Sequence, residues 1–183
     1  NLLINASNFV SSQIPSTLDL DSDDDGDIDN VCFVVQGSTT AWATLLWPHR
    51  WSIYTYTVNI NGKRVYDYNF QISNHLNSSG NGVLCHEMFH SLGAPDLYHY
   101  TGNGITPVGG WDLMESNANP PEHMSAYMKY KYGHWISSIP VLSSSGTYSL
   151  NPLTSSTGQC YRINSPNSST QYFVVEFRKK TGT

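Results

Sequence analysis

His86 and His90 stand four residues apart in the stretch CHEMFHSLGAPD (residues 85–96), and Glu87 directly follows the first of them. On a helix, residues at i and i+4 share a face with their Cβ atoms roughly 5–6 Å apart. Both imidazoles can then reach one zinc ion at roughly 2.0–2.1 Å. Glu87, next to the first ligand, is placed to hold a coordinated water rather than the metal. This is the arrangement hydrolysis requires, in which zinc lowers the pKa of the water and the carboxylate takes its proton.

A catalytic zinc needs a third protein ligand and an open fourth position. Gly93 lets the chain leave the helix sharply, because glycine tolerates positive φ. Pro95 stiffens the approach, and Asp96 arrives ten residues after His86. A turn at Gly93 would swing that carboxylate back under the imidazoles. His99 and Glu115 carry donors able to bind as well; the spacing favours Asp96. Two histidines flanking Glu-x-x also arise by chance on amphipathic helices. The glycine hinge and the ligand-type residue beyond it are what set this stretch apart.

In its extended form, HExxHxxGxxD, residues 86–96 resemble the zinc motif of the metzincin endopeptidases, with aspartate in place of their usual third histidine. Residues 109–116, GGWDLMES, resemble the methionine-containing turn of the same clan. Together with the acidic stretch DSDDDGDID and with WPHRW, these segments are similar to the immune inhibitor A-like family of secreted bacterial metallopeptidases. The likeness runs in motif order from Leu2 to Phe177. It implies an α+β, metzincin-like zinc peptidase catalytic domain with a twisted sheet, an active-site helix, a Met-turn, and a C-terminal helix and strands. His86, His90 and Asp96 would hold zinc, Glu87 would act as general base and then acid, and Met114 would pack below the site. By itself Met114 reads as a core methionine; its place after Gly-Gly-Trp-Asp-Leu ties it to the turn. Related catalytic domains begin further upstream, so the resemblance also implies an N-terminally incomplete domain completed by a missing N-terminal segment of the same protein. The basic run at residues 178–180 follows an apolar strand and suggests a missing partner segment or an exposed edge.

The acidic segment carries its own chemistry. Asp21, Asp23, Asp25, Asp27 and Asp29 alternate, with Gly26 at the sixth position. That is the ligand alternation of a calcium loop, in which glycine permits the sharp turn. Without a cation the like charges repel one another. Position twelve is Cys32 rather than a bidentate glutamate, and a strand rather than a helix is expected next. The reading is an EF-like calcium loop at 19–30 leading into a strand, with Ile28 as its apolar anchor. A solvated acidic turn is the plainer alternative.

These residues need elements to position them. NLLINASNFVSSQI spaces apolar residues by three and four and predicts a helix. NVCFVVQG predicts a buried strand, and Asn61-Gly62 within an alternating run predicts a hairpin. Asn77 to Gly82 reads as a loop, GVLCHEMFHSLG as a helix closed by Gly93, and residues 94–121 as loop. EHMSAYMKYKYGHW reads as a second substantial helix, and GTYSLNPL with CYRINSPNSSTQYFVVEFR as strands around a Ser/Asn turn. Trp47 and Trp51 are expected to pack, with Arg50 stacked on a ring.

The 183 residues suit a single domain spanning 1–183. Seven of the ten aspartates lie between Asp19 and Asp29, so the net charge of -5 is local. A charge held in one loop argues for a metal and gives no footprint for nucleic acid. Cys32, Cys85 and Cys160 form no CxxC pair and are expected as small buried residues. No apolar run reaches the length of a membrane span. A chain rich in Tyr, Trp, Ser and Asn and poor in Lys, Arg and Glu suits an extracellular protein. The sequence thus predicts a secreted, calcium-stabilised zinc endopeptidase acting on protein substrates. The rival readings are a zinc hydrolase of a non-peptide amide and an inactive calcium-dependent binding or adhesion module with a vestigial zinc site.

Overall fold

A computed structural model describes residues 1–38, 46–102 and 104–179. It is a mixed α/β chain with short helices and small sheets, divided into two compact units. Residues 1–93 with 117–121 form the first, and residues 94–116 with 122–183 the second. The expectation of a missing partner segment or an exposed edge at the basic end reaches residues 180–183, which lie outside the described residues.

In the first unit, α1 (Leu2–Ser11) and the acidic segment precede β1 (Val31–Val35). Next come β2 (His49–Ser52), a hairpin of β3 (Asn59–Ile60) and β4 (Lys63–Arg64), and β5 (Asp67–Ile72). Two helices follow, α2 (Ser73–Ser79) and α3 (Gly82–Ser91). The main sheet has the order β1-β5-β2. β1 runs parallel to β5 with Phe33 opposite Phe70, and β2 runs antiparallel with His49 opposite Phe70. As the central strand, β5 is buried at all six positions, and Phe70 lies with Ile28, Ile53, Val58, Ile60 and Val65 in the core.

β1 is not the buried strand its composition predicts. Val31, Phe33 and Val35 face the core, while Cys32 and Val34 are exposed. Successive strand side chains point to opposite faces, so Cys32 is turned outward. Cys85 is half-buried and Cys160 buried, and none of the three is in a disulfide. The hairpin forms where Asn-Gly predicts it. Asn61 and Gly62 both take positive φ, 52° and 83°, as a two-residue turn matching strand twist demands.

The segment expected as a loop at 77–82 is mostly helical. α2 continues to Ser79, and only Gly80, at φ 59°, and Asn81 separate it from α3. α3 ends as its sequence predicts: the Leu92 and Gly93 amides bond to the Phe89 and His90 carbonyls, and Gly93 takes φ 87°.

Gly82 opens α3 under a steric constraint. A Cβ there would lie 2.1 Å from the Ala118 carbonyl oxygen. Gly→Ala inside a helix ordinarily stabilises by about 0.5–1 kcal/mol. Gly82→Ala is therefore expected to reverse that sign and lower the melting temperature, because backbone must move to admit the methyl group. A thermal scan beside wild type checks it.

The second unit holds a 3-10 turn at Gly109–Trp111, α4 (Ala126–Lys131) and an antiparallel pair, β6 (Cys160–Asn164) with β7 (Tyr172–Glu176). One cluster of its buried residues comprises Ala126, Ile136, Leu153 and Cys160. α4 is shorter than the run EHMSAYMKYKYGHW predicts, because Ser125 takes extended geometry and caps it through the Met128 amide. The last turn closes on Met128, whose carbonyl accepts from both Tyr132 and Gly133. GTYSLNPL forms no regular strand; Pro152, which has no N–H to give a ladder, makes a single bridge to Phe177.

Candidate metal centre

α3 presents His86 and His90 on one face, as their spacing requires. Their ring centroids are 4.8 Å apart and the planes nearly perpendicular, at 89°. His86 is buried, at 3 % exposure. Beyond the turn at Gly93 the chain reaches Asp96. One potential ligand atom from each of His86, His90 and Asp96 lies within 4.8 Å of the others. A tetrahedral zinc with bonds near 2.0–2.1 Å spaces its donors roughly 3.3–3.5 Å apart, so small side-chain adjustments suffice. Two imidazoles and one carboxylate also suit zinc by donor chemistry. His99, which is exposed, and Glu115, which accepts weakly from the Val108 amide at 3.4 Å, are outside this group.

Asp96 is held from its own loop. The Tyr100 hydroxyl donates to its Oδ2, and this draws the phenol's pKa upward. The next residue, Leu97, donates its amide to the Met114 carbonyl at 2.8 Å. Met114 is fully buried, and its own amide bonds at 2.9 Å to Oδ1 of Asp112. The other Asp112 oxygen accepts from the Ser125 amide at 2.7 Å. Asp112, at 1 % exposure, therefore ties the methionine turn to the start of α4. Sequence reasoning passed over it. The available signal was an aspartate two residues before Met114 inside an otherwise apolar run, the local pattern of a side chain that caps its own backbone.

Glu87 turns toward the sheet, where its Oε2 accepts the Arg50 amide of β2 at 2.8 Å. The tryptophans of WPHRW do not pack as expected. Trp47 and Trp51 are 48 % and 56 % exposed; Trp51 lies on β2, which among the described strands has a sheet neighbour on one side only. Arg50 stacks on no ring among the described residues; its Nε pairs with Asp67 Oδ1 at 2.5 Å. His49 stacks on Phe70 and hydrogen-bonds the Trp47 carbonyl and the Tyr68 hydroxyl.

Residues 24–132, more than half of the chain, match the family model described as the immune inhibitor A peptidase M6 catalytic domain. The chain belongs to that family. No curated protein matches it.

As an M6 metallopeptidase it acts on protein substrates and uses a metal, which in such families is typically zinc. The matched span contains the whole of 86–96 and 109–116. No helix among the described residues of the peptidase is long and apolar enough to cross a membrane.

The acidic loop of the peptidase gathers fewer carboxylates than its alternation suggests. Ligand atoms of Asp21, Asp23 and Asp29 lie within 4.8 Å of one another. Asp25 and Asp27 fall outside this group, and the Asp25 carboxylate accepts the Asp27 amide at 2.8 Å. Ile28 is buried in the core, as an anchor should be. Asp21 accepts the amides of Asp25 and Gly26 and pairs with Lys63 at 2.6 Å. The Lys63 ammonium holds the Asp21 carboxyl below its ordinary range. The Asp21–Lys63 contribution to stability is therefore fully present above roughly pH 4 and lost as pH falls through the lowered value. Asp23 is pushed the opposite way, chiefly by the charge of Asp25.

Proposed function

We propose that the chain is a secreted zinc endopeptidase with a metzincin-like site, in which His86, His90 and Asp96 hold the metal and Glu87 is the general base. The observation that carries this reading is the convergence of two imidazoles and a carboxylate on and just beyond the helix that also carries Glu87. Zinc, when bound, supplies Lewis acidity toward the scissile carbonyl and makes water a nucleophile near neutral pH.

The protein's own groups do the rest. Glu87 takes the proton of the attacking water and delivers it to the leaving amide nitrogen. The Arg50 amide fixes Oε2 and so orients the carboxylate. A substrate strand would lie along β2, which is at the sheet edge among the described strands. Met114 would pack below the site, held in its turn by Asp112.

The test is hydrolysis of a quenched-fluorescent peptide with and without a zinc chelator. Cleavage that disappears with the chelator and returns with stoichiometric zinc supports the endopeptidase. Zinc binding without cleavage points to the binding-module alternative, and cleavage of small amides but not peptides to the non-peptide hydrolase.

For the acidic loop, Asp21, Asp23 and Asp29 are the proposed calcium ligands. The cation would do for all three carboxylates what Lys63 does for Asp21 alone. Lys63→Met is then expected to lower the melting temperature more in EGTA than in millimolar calcium. Equal losses in both conditions would remove the calcium assignment.

A further inference from the structure

We propose that Asp67 and Arg50 are positioning residues that hold an amide of the edge strand against the base, Glu87; this rests on the endopeptidase reading above. The argument begins with strand alternation. The Ile53 amide donates to the Tyr66 carbonyl at 2.8 Å, so residues 49, 51 and 53 turn their backbone groups toward β5. Arg50, one step out of phase, turns its amide away from β5. That amide meets Glu87 Oε2 at 2.8 Å.

Among the described strands β2 is paired on one side only; such a strand has latitude to shift, and the amide would shift with it. The Arg50 side chain removes this freedom. Its Nε reaches back across the pair to Asp67 Oδ1 at 2.5 Å, with Asp67 on the buried central strand. The network then returns to the helix. Asn30 Nδ2 lies 3.4 Å from Asp67 Oδ2 and 2.8 Å from Ser91 Oγ. Ser91 is the last residue of α3, one turn beyond Glu87. Arg50, Asp67 and Asn30 therefore connect two points on the same helix turn, and Glu87 is one of them. The base keeps its position relative to the face that carries His86 and His90 because helix and edge strand are joined at both places.

A charged pair that is only structural would leave the Glu87 contact and turnover alone once the protein folds. The test reads both. Amide hydrogen exchange at Arg50, followed by NMR in the zinc-free protein, reports the contact with Glu87. kcat, KM and zinc content on a quenched-fluorescent peptide report its consequence. Asp67→Asn is expected to lower Arg50 amide protection about tenfold, the scale of one lost hydrogen bond, while the Ile53 amide stays protected. kcat should fall about 10–100-fold, as small displacements of catalytic groups do, with KM and zinc content little changed. Arg50→Lys, which keeps a cationic donor for Asp67, should retain most of both signals. If Asp67→Asn does not fold, Arg50→Gln reads the same contact.

Unchanged Arg50 protection and unchanged kcat in a folded, zinc-loaded variant would overturn the proposal. So would joint loss of the Ile53 and Arg50 amides, which would mean the pair only holds the sheet. Glu87→Ala separates the two levels. Its Arg50 amide should lose protection, and persistent proteolysis in this variant would sink the base assignment, and the positioning role with it. Loss of proteolysis there beside wild-type behaviour of Asp67→Asn would sink the positioning role alone.

Discussion

Glu87→Gln should retain one zinc per chain and lose proteolysis by about 10³-fold in kcat/KM, within the range of roughly 10²–10⁴ that a positioned acid–base group contributes. The substitution is nearly isosteric, and its amide oxygen can still accept the Arg50 amide now bonded at 2.8 Å. What it cannot do is take a proton from water. The loss should therefore fall on kcat, with KM and thermal stability near wild type, since only an interaction made in the transition state is removed. Metal analysis beside steady-state kinetics on a quenched-fluorescent peptide measures it. A variant that keeps zinc and full turnover would show that another group moves the proton, and Glu87 would be left with a structural role.

Removing the third donor should act at the metal itself. Asp96→Ala is expected to weaken zinc binding by more than about 100-fold, since loss of an outer-shell partner alone costs roughly 10–100-fold. Activity should follow occupancy and recover only in excess zinc. His99→Ala should bind zinc as wild type does, because His99 is outside the group of atoms formed by His86, His90 and Asp96. Tyr100→Phe is the graded case. It deletes the hydroxyl that donates to Asp96, and an effect of about tenfold on zinc affinity is expected. Competition with a chromophoric chelator reads all three variants. Full zinc affinity in Asp96→Ala, with loss in His99→Ala or Glu115→Gln, would reassign the third ligand.

The sequence alone carried the parts of this molecule that depend on short separations along the chain. Histidines four apart must share a helix face, and Gly93 must end that helix where positive φ is needed. Asn61-Gly62 must turn a hairpin. The motifs at 86–96 and 109–116 were legible for the same reason, and the family match covers both. Helix lengths were less legible. α4 was overestimated because its start depends on Asp112, thirteen residues away, capturing the Ser125 amide.

Only the tertiary structure decided which groups meet across long separations. Composition made WPHRW look like core, yet Trp47, ahead of β2, and Trp51, on it, are largely exposed, and β2 lies at the sheet edge among the described strands. Charge alternation marked five acidic-loop aspartates equally, yet backbone turns bring the ligand atoms of three together and give Lys63 to Asp21. The bond from the Arg50 amide to Glu87 spans 37 positions and uses a backbone donor that every residue but proline carries. Residue identity cannot announce such a contact. It depends on strand register, and register is settled by which side chains the whole sheet can bury.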